Sequence, residues 1–328
     1  MLIIALYPPS RVPSQRFRFE QYLGALTVAR HTYALAPCPF LNEATWNILN
    51  KSGQTVRKVA DILVSFARRQ VLLAAPGYDV VFMCREAAPI GLSVLEWLMA
   101  KVLRKPIICG FGDAIWLKDS ASRADLLGRP KWQQKVSSLC CWAWKNSCGN
   151  AYLRAYARQF NQASIINPPT LDTERLHNQM HDQLGPSPLV IGWTGTHTTL
   201  RHLDVIWPVR RQLETEGHEF EFYVIANQLP ADPGLRNFRF RPWRKDTEIA
   251  DLLTLHMGLI PLVDEPWAQG KCAFKVLQYS ALGDVGAGVA GGHKYGGDGR
   301  RAKRLRVRRA RQVGGGSAPP AGRAEPVR

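Results

Sequence analysis

The chain has no run of eighteen or more apolar residues, which excludes a membrane-spanning helix of ordinary length. The apolar opening of MLIIALYPPS is only about six residues long, carries no basic leader and stops at Pro8-Pro9, so it reads as a first strand and turn and not as a signal peptide. There is no Gly-x-Gly-x-x-Gly after that strand and no Walker loop anywhere, which disfavours a Rossmann oxidoreductase and a P-loop enzyme. Cysteine is sparse. Seven residues, odd in number and irregular in spacing, make no disulfide framework and fit a reducing compartment. Cys140, Cys141 and Cys148 come nearest to a cluster, but no His or second Cys-x-x-Cys lies nearby to complete a tetrahedral metal site. No metal and no cofactor are expected. After Gly283 the sequence also lacks Ile, Phe, Met and Trp altogether.

What remains is a globular composition: 328 residues, 46% hydrophobic, ten tryptophans, enough for two α/β domains of ordinary size. The formal charge of +17 divides unevenly. Residues 284–328 hold eleven Lys/Arg against three Asp/Glu, and the first 283 residues hold thirty-two against twenty-three. A moderately basic body suits phosphorylated substrates and an anionic membrane surface. No motif for specific nucleic-acid binding accompanies the charge. The expected location is cytoplasmic, extending to peripheral contact with the inner face of the membrane.

Short apolar runs alternate with helical patterns. Leu2–Leu6, Tyr78–Cys84 (YDVVFMC), PIICGF and SIINPP read as strands; FRFEQYLGALTVA, GLSVLEWLMAKVL and 131–160 read as helical, the last with a break near Asn150. After a polar crossing at 170–187, a second series begins. Leu189–Trp193, Phe220–Ala226, Phe238–Trp243 and HMGLIPL are strands, with helices at LRHLDVIWPVRRQLE and DTEIADLLTL. Continuous apolar strands between helices predict parallel sheets covered on both faces. The domains expected are a lobe at 1–169, a linker at 170–187, a second lobe at 188–283 and a basic Gly/Arg-rich tail at 284–328. Ligands of such folds sit at the carboxyl ends of the strands.

Four segments carry candidate chemistry. In TGTHTTLRH, Gly195 and Thr196 either present backbone N–H groups to an anion at a helix start or form a plain turn with Thr as cap. In WAQGKCAFKVLQYSALG (Trp267–Gly283), Lys271 and Lys275 share a helix face if the helix begins by Gly270, with Gln278 one turn on. Two lysines at a helix N-terminus oppose its dipole unless an anion sits between them, and a diphosphate would supply it; a solvated basic face is the alternative. In PSQRFRFEQYL, Arg16 and Arg18 are either an anion clamp or surface residues with Phe17 or Phe19 packed inward. Asp113 in GFGDAIWL follows a buried strand and is either a cleft residue or a helix cap.

PSQRFRFEQYL, YDVVFMCREAAP, GDAIWL, GNAYLRAYARQF, INPPTLDTERL, IGWTGTHTTLRHL and IPLVDEPWAQGKCAFKVLQYSALG stand in the order and spacing of bacterial family 4 glycosyltransferases, which residues 1–283 resemble. The resemblance implies a GT-B fold of two Rossmann-like lobes. It also implies a hexosyltransferase-type reaction that retains anomeric configuration, needs no metal and uses a nucleoside-diphosphate-sugar donor. The acceptor would be a glycan, lipid or small molecule of cell-surface synthesis. Carried onto this chain, Gly195 and Thr196 face the donor phosphates, Lys271 and Lys275 the diphosphate, Gln278 the ribose, and Trp243 the donor side. Arg16 and Arg18 belong to the acceptor side, and Asp113 joins the lysines as a catalytic candidate. The chain departs from the pattern at Gly270 and Gln278, where many members carry a pair of glutamates, and at Gly110 and Gly112, where acids are common.

Beyond Gly283 the family's buried strand, Ser-Pro-Val-Gly turn and Asn-x-Glu are missing. The tail has eleven glycines and no apolar period, so it is not expected to supply a strand. It is either a physiological basic tail or the product of a reading-frame slip. Back-translating GVAGGHKYGG (Gly288–Gly297) one nucleotide forward permits Ala-Ser-Pro-Val-Gly-Thr-Asn-Thr-Glu-Val, which favours the slip. A truncated sheet would expose an edge and weaken donor binding. The rival reading is a non-catalytic basic protein that binds nucleic acid or anionic membrane through the tail.

Overall fold

The computed structural model describes residues 1–10, 12–29, 34–35, 40–49, 53–74, 77–88, 93–117, 129–180, 188–231, 234, 236–262, 265–283 and 285–287. Among them are eleven strands: β1 (Leu2–Ile4), β2 (Ala34–Leu35), β3 (Val81–Cys84), β4 (Ile107–Phe111), β5 (Lys145–Cys148), β6 (Ser164–Ile166), β7 (Leu189–Gly195), β8 (Phe220–Ala226), β9 (Phe238–Pro242), β10 (Met257–Leu259) and β11 (Val285–Ala287). They form two sheets, ordered β2-β1-β3-β4-β5-β6 and β11-β10-β7-β8-β9. Every pairing is parallel. The expected α/β class with two doubly wound lobes is what the chain adopts.

In each sheet the first strand lies inside, with its successors added on both sides. The order therefore reverses at β1/β3 in one lobe and at β7/β10 in the other. Crevices open at such switch points, outside the carboxyl ends of the strands. Arg85, Asp113, Gly149, Gly195 and Leu262 all follow strands or lie close to their ends, so the topology alone gathers them at crevice mouths.

Apolar strands bury as their composition demands. Ile4, Val81, Met83, Ile107, Cys109 and Phe111 are core residues of the first lobe. In the second, Phe222, Val224 and Ala226 of β8 pack on one face with Trp193, Leu203 and Ile206. Ile225 turns to the other face, with Leu252, Leu255, Tyr279 and Leu282. This alternation lets helices cover both sides of the sheet.

Three expectations need correction. The stretch 131–160 is not helical throughout: helix Arg129–Trp142 is followed by β5, then by helix Ala151–Arg158. β5 reads KNSC and has no apolar run. It can be buried because the Asn146 side chain donates to the Cys140 carbonyl and to Ser164 Oγ. Asn150 caps the next helix, accepting from the Leu153 amide. The helix expected from Phe17 is broken into short pieces at Pro13–Arg16, Glu20–Tyr22 and Leu23–Val28, with Phe17 and Phe19 buried between them. The residues after Gly283 do supply a strand: β11 pairs with β10, matching Met257 to Val285 and Leu259 to Ala287. Helix Thr55–Ala74 packs against the first lobe through Phe66, whose ring meets Phe40 edge-on.

The helix Phe274–Ala281 is seated by one close approach. Tyr279 is wholly buried over Gly258 of β10, where a Cβ would stand 2.4 Å from the ring. Gly258→Ala is expected to cost about 1–3 kcal/mol through overpacking, measured as a lower denaturant midpoint.

Candidate functional site

The carboxyl end of β7 begins the second lobe's contribution. A Cβ on Gly195 would meet the Trp193 ring at 2.2 Å, so only glycine lets the chain turn over that indole. Thr196 then caps the 3₁₀ helix His197–Val205: the Thr196 amide donates to Thr199 Oγ1 at 3.1 Å and the Thr199 amide returns to the Thr196 carbonyl at 2.9 Å. The His197 amide donates to Asn227 Oδ1 at 2.7 Å. The capping alternative therefore holds for Thr196. The acceptors on the Thr196 and His197 amides are side chains, Thr199 half-buried and Asn227 exposed, which an anion can displace.

The lysine segment differs from expectation. Helix Pro266–Gln269 ends before Gly270, and a new helix starts at Phe274 after Ala273, whose φ of 52° is left-handed. Lys271 thus lies outside the helix that carries Lys275, and the two do not share a continuous helix face. They still approach the same crevice. Lys271 Nζ is 2.9 Å from Asp113 Oδ1 and 3.6 Å from the centre of the Trp267 ring. Lys275 Nζ lies 4.4 Å from the centre of the Trp193 ring. The indole that forces Gly195 to be glycine is thus the one under the Lys275 ammonium.

The first lobe closes on this segment. Asn150 Nδ2 donates to the carbonyls of Gln269 and Lys271 at 3.0 and 3.2 Å, and Cys272 Sγ reaches the Gly112 carbonyl at 3.2 Å. Phe17 and Phe274 pack with ring centres 4.2 Å apart. A Cβ on Gly270 would sit 2.6 Å from the Ala114 amide, which gives a steric reason for glycine at this position. Gly112 is likewise covered, by the Arg18 side chain.

The remaining predicted residues fall around this closure. Arg16 is no surface arginine. It forms a buried ion pair with Glu248 at 2.5 Å, and its guanidinium lies over Phe17 and Trp243. Trp243 Nε1 lies 3.4 Å from the same glutamate. Arg18 donates to the Ser147 carbonyl. Gln278 is buried, with its amide 3.3 Å from His177 Nε2 in the crossing segment. Lys271, Asp113 and Arg18 are brought together, Lys275 stands beside them, and Arg16 and Trp243 form a neighbouring buried pair with Glu248.

In the sequence Arg85, Glu86, His177 and Glu248 carry no candidate role, and Asn150 marks only a helix break. Arg85 and Glu86 carried a usable signal, because they directly follow a buried strand. Arg85 adopts a φ of 71°, unusual for a side-chain-bearing residue and frequent where function holds the backbone. Burial alone would raise the Asp113 pKa, but Lys271, Arg85 and Arg18 outweigh it and hold the carboxyl below its ordinary value. Three cations converge on one carboxylate.

No family model matches the chain, and no curated protein matches it by sequence. Solved structures do align. The sucrose-phosphate synthase of Thermosynechococcus elongatus aligns over 88% of this chain and 80% of its own, at 12% identity and a TM-score of 0.60. The trehalose-6-phosphate protein of E. coli bound with UDP-2-fluoro-glucose aligns over 88% and 83%, at 11% identity and a TM-score of 0.51. A glycosyltransferase from Rickettsia africae ESF-5 aligns over 88% and 78%, at 10% identity and a TM-score of 0.51. The chain has a GT-B-like fold. Identities this low speak for the fold alone.

Within the GT-B-like crevice, Lys275 is displaced from its ordinary protonation. Burial, and secondarily the charge of Lys271, hold its pKa down to about 7 from 10.5. Between those values the unfolded chain keeps a proton that the folded lysine has lost, so stability rises with pH across that window. Below the folded pKa both states are protonated and the penalty is present in full. Lys275→Met is expected to flatten the rise and to increase stability near neutral pH, read from denaturant midpoints over a pH series.

Proposed function

We propose that the chain is built to transfer a sugar from a nucleoside-diphosphate donor to a glycan, lipid or small-molecule acceptor, with retention and without a metal. The observation that carries this reading is the pair of crevice ammoniums, one held by a carboxylate from the opposite lobe and the other resting on an indole. Both present partners are weaker matches for two cations than a diphosphate. As the bond between the sugar and its phosphate breaks, negative charge grows on the leaving group, and ammonium groups already in place stabilise it. In this reading Lys271 and Lys275 hold the diphosphate, and the Gly195–Thr196 turn offers amides to its oxygens. Gln278 and Trp243 border the nucleoside, with Gln278 released from His177. Arg18, Asp113 and the Arg16 segment border the acceptor. When the donor enters, Lys271 exchanges Asp113 for phosphate, which leaves the carboxylate free to accept from an acceptor hydroxyl.

We also infer that the family 4 pattern continues in a shifted frame after Gly283, so that the chain as written binds donor weakly. β11 pairs with β10 and becomes the sheet's outer strand, and the Ser-Pro-Val-Gly turn is the part still lacking. Calorimetric titration with UDP, GDP and ADP of the chain as written and of the shifted-frame chain tests both inferences. The shifted-frame chain should bind one of them at least about tenfold more tightly. At about pH 8 its binding should take up a proton that Lys275→Met does not, because an anion beside Lys275 raises the lysine's pKa. Equal binding by both chains contradicts the frame inference. Binding by neither contradicts the transferase reading.

A further inference from the structure

Helix Thr55–Ala74 runs for 20 residues, about 30 Å, along the first lobe. Its inner face is accounted for. Leu73 is buried, Phe66 meets Phe40, and Arg69 Nη2 donates to the Ala5 carbonyl at 2.9 Å. The outer face is the anomaly. Val56 is 85% exposed, Val59 51%, Leu63 63%, Val64 49% and Val71 74%. At 100° per residue these five side chains fall within an arc of about 140°, with the exposed Ala60 and Ala67 and one polar residue, Gln70, among them. A stripe of β-branched and leucine side chains this long is unusual on a monomer's surface unless something covers it.

The charges beside the stripe indicate what does. Of the charges on this helix, Lys58 and the buried Arg69 lie on the inner side, and Arg57 and Arg68 lie beside the stripe next to Asp61, which accepts from Thr45 Oγ1 at 2.8 Å. Arg57 and Arg68, about three turns apart, border the apolar arc on one rim, and both are exposed. A second copy of the chain is a poor partner. An antiparallel two-fold pairing of this helix sets Arg57 of each copy against Arg68 of the other. An apolar interior rimmed by anions suits the surface as it stands.

We propose that the outer face of helix Thr55–Ala74 docks on an anionic lipid surface, its valines and Leu63 entering the acyl boundary and Arg57 and Arg68 meeting phosphate headgroups. The inference stands apart from the crevice and from the donor reading.

The test is flotation of the full chain with vesicles of phosphatidylcholine alone and with phosphatidylglycerol added, joined to hydrogen–deuterium exchange on the vesicles. The chain should float only with the anionic vesicles, and amides of the 55–74 segment should gain protection. Leu63→Glu with Val64→Glu should reduce partitioning at least about tenfold, and reversing Arg57 or Arg68 should reduce it about fivefold each. These side chains are exposed, and an unchanged circular dichroism melt confirms that the variants fold. The exchange measurement on the unmutated chain stands without them. Full binding by the Glu variants, or protection elsewhere with none in 55–74, assigns vesicle binding to another basic segment and overturns the proposal. Concentration-dependent dimerisation lost in Leu63→Glu, with no flotation of the parent chain, assigns the face to a second copy and overturns it equally.

Discussion

The segment from Trp267 to Lys275 belongs to the second lobe by sequence and to both lobes by contact. Its carbonyls at Gln269 and Lys271 accept from Asn150, its thiol reaches Gly112, its glycine lies against Ala114, and its first lysine is paired with Asp113. The left-handed turn at Ala273 follows from these ties, since an unfavourable backbone conformation persists only where its surroundings over-determine it. Arg16 and Glu248 add a second, buried tie between the lobes. Removing either partner alone strands a charge, which is why buried pairs of this kind are costly to break. The crevice is therefore set by a few polar contacts between lobes. In the proposed function, an anionic ligand would compete with one of them, the Lys271–Asp113 pair, directly.

Much of the scaffold was legible because its strands are continuous apolar runs bounded by Pro, Gly or polar turns. β8 coincides with the segment read as Phe220–Ala226, and the carboxyl ends of such strands point to the crevice by topology alone. What escaped depends on distant partners. β5 is buried through Asn146, whose acceptors lie on the helix before it and on the strand beside it. Nothing in GKCA announces a break, because the residues that hold Ala273 in place come from the opposite lobe. The Arg16–Glu248 pair spans 232 positions, beyond any local pattern. In the candidate site, Lys271 and Lys275 were legible as a lysine pair at a helix start and Asp113 as an acid following a buried strand, whereas the pairing of Asp113 with Lys271 was not. The strand at Val285–Ala287 was missed because three small residues inside a glycine-rich stretch have no period to read.

A perturbed charge does not mark a site by itself, and this chain shows why. Arg210 is almost wholly buried between Phe220 and Phe222, 4.1 and 3.7 Å from the ring centres, and burial holds its pKa down to about 9. It lies beside the amino-terminal end of β8, remote from the carboxyl end where the crevice opens. Lys275 shares its desolvation and its aromatic seat. What separates the two is topology: Lys275 stands at a switch-point crevice beside a second lysine and an amide-bearing turn. The candidate site rests on that coincidence of place and charge.

The central claim is that Asp113 occupies Lys271 in place of a diphosphate. A double-mutant cycle on these two residues, read as nucleoside-diphosphate affinity in the shifted-frame chain, addresses it most directly. Asp113→Asn should tighten binding, Lys271→Met should weaken it, and most of the gain from Asp113→Asn should vanish once Lys271 is absent. An equal gain in both backgrounds, or weaker binding by Asp113→Asn while Lys271 is present, would contradict the account.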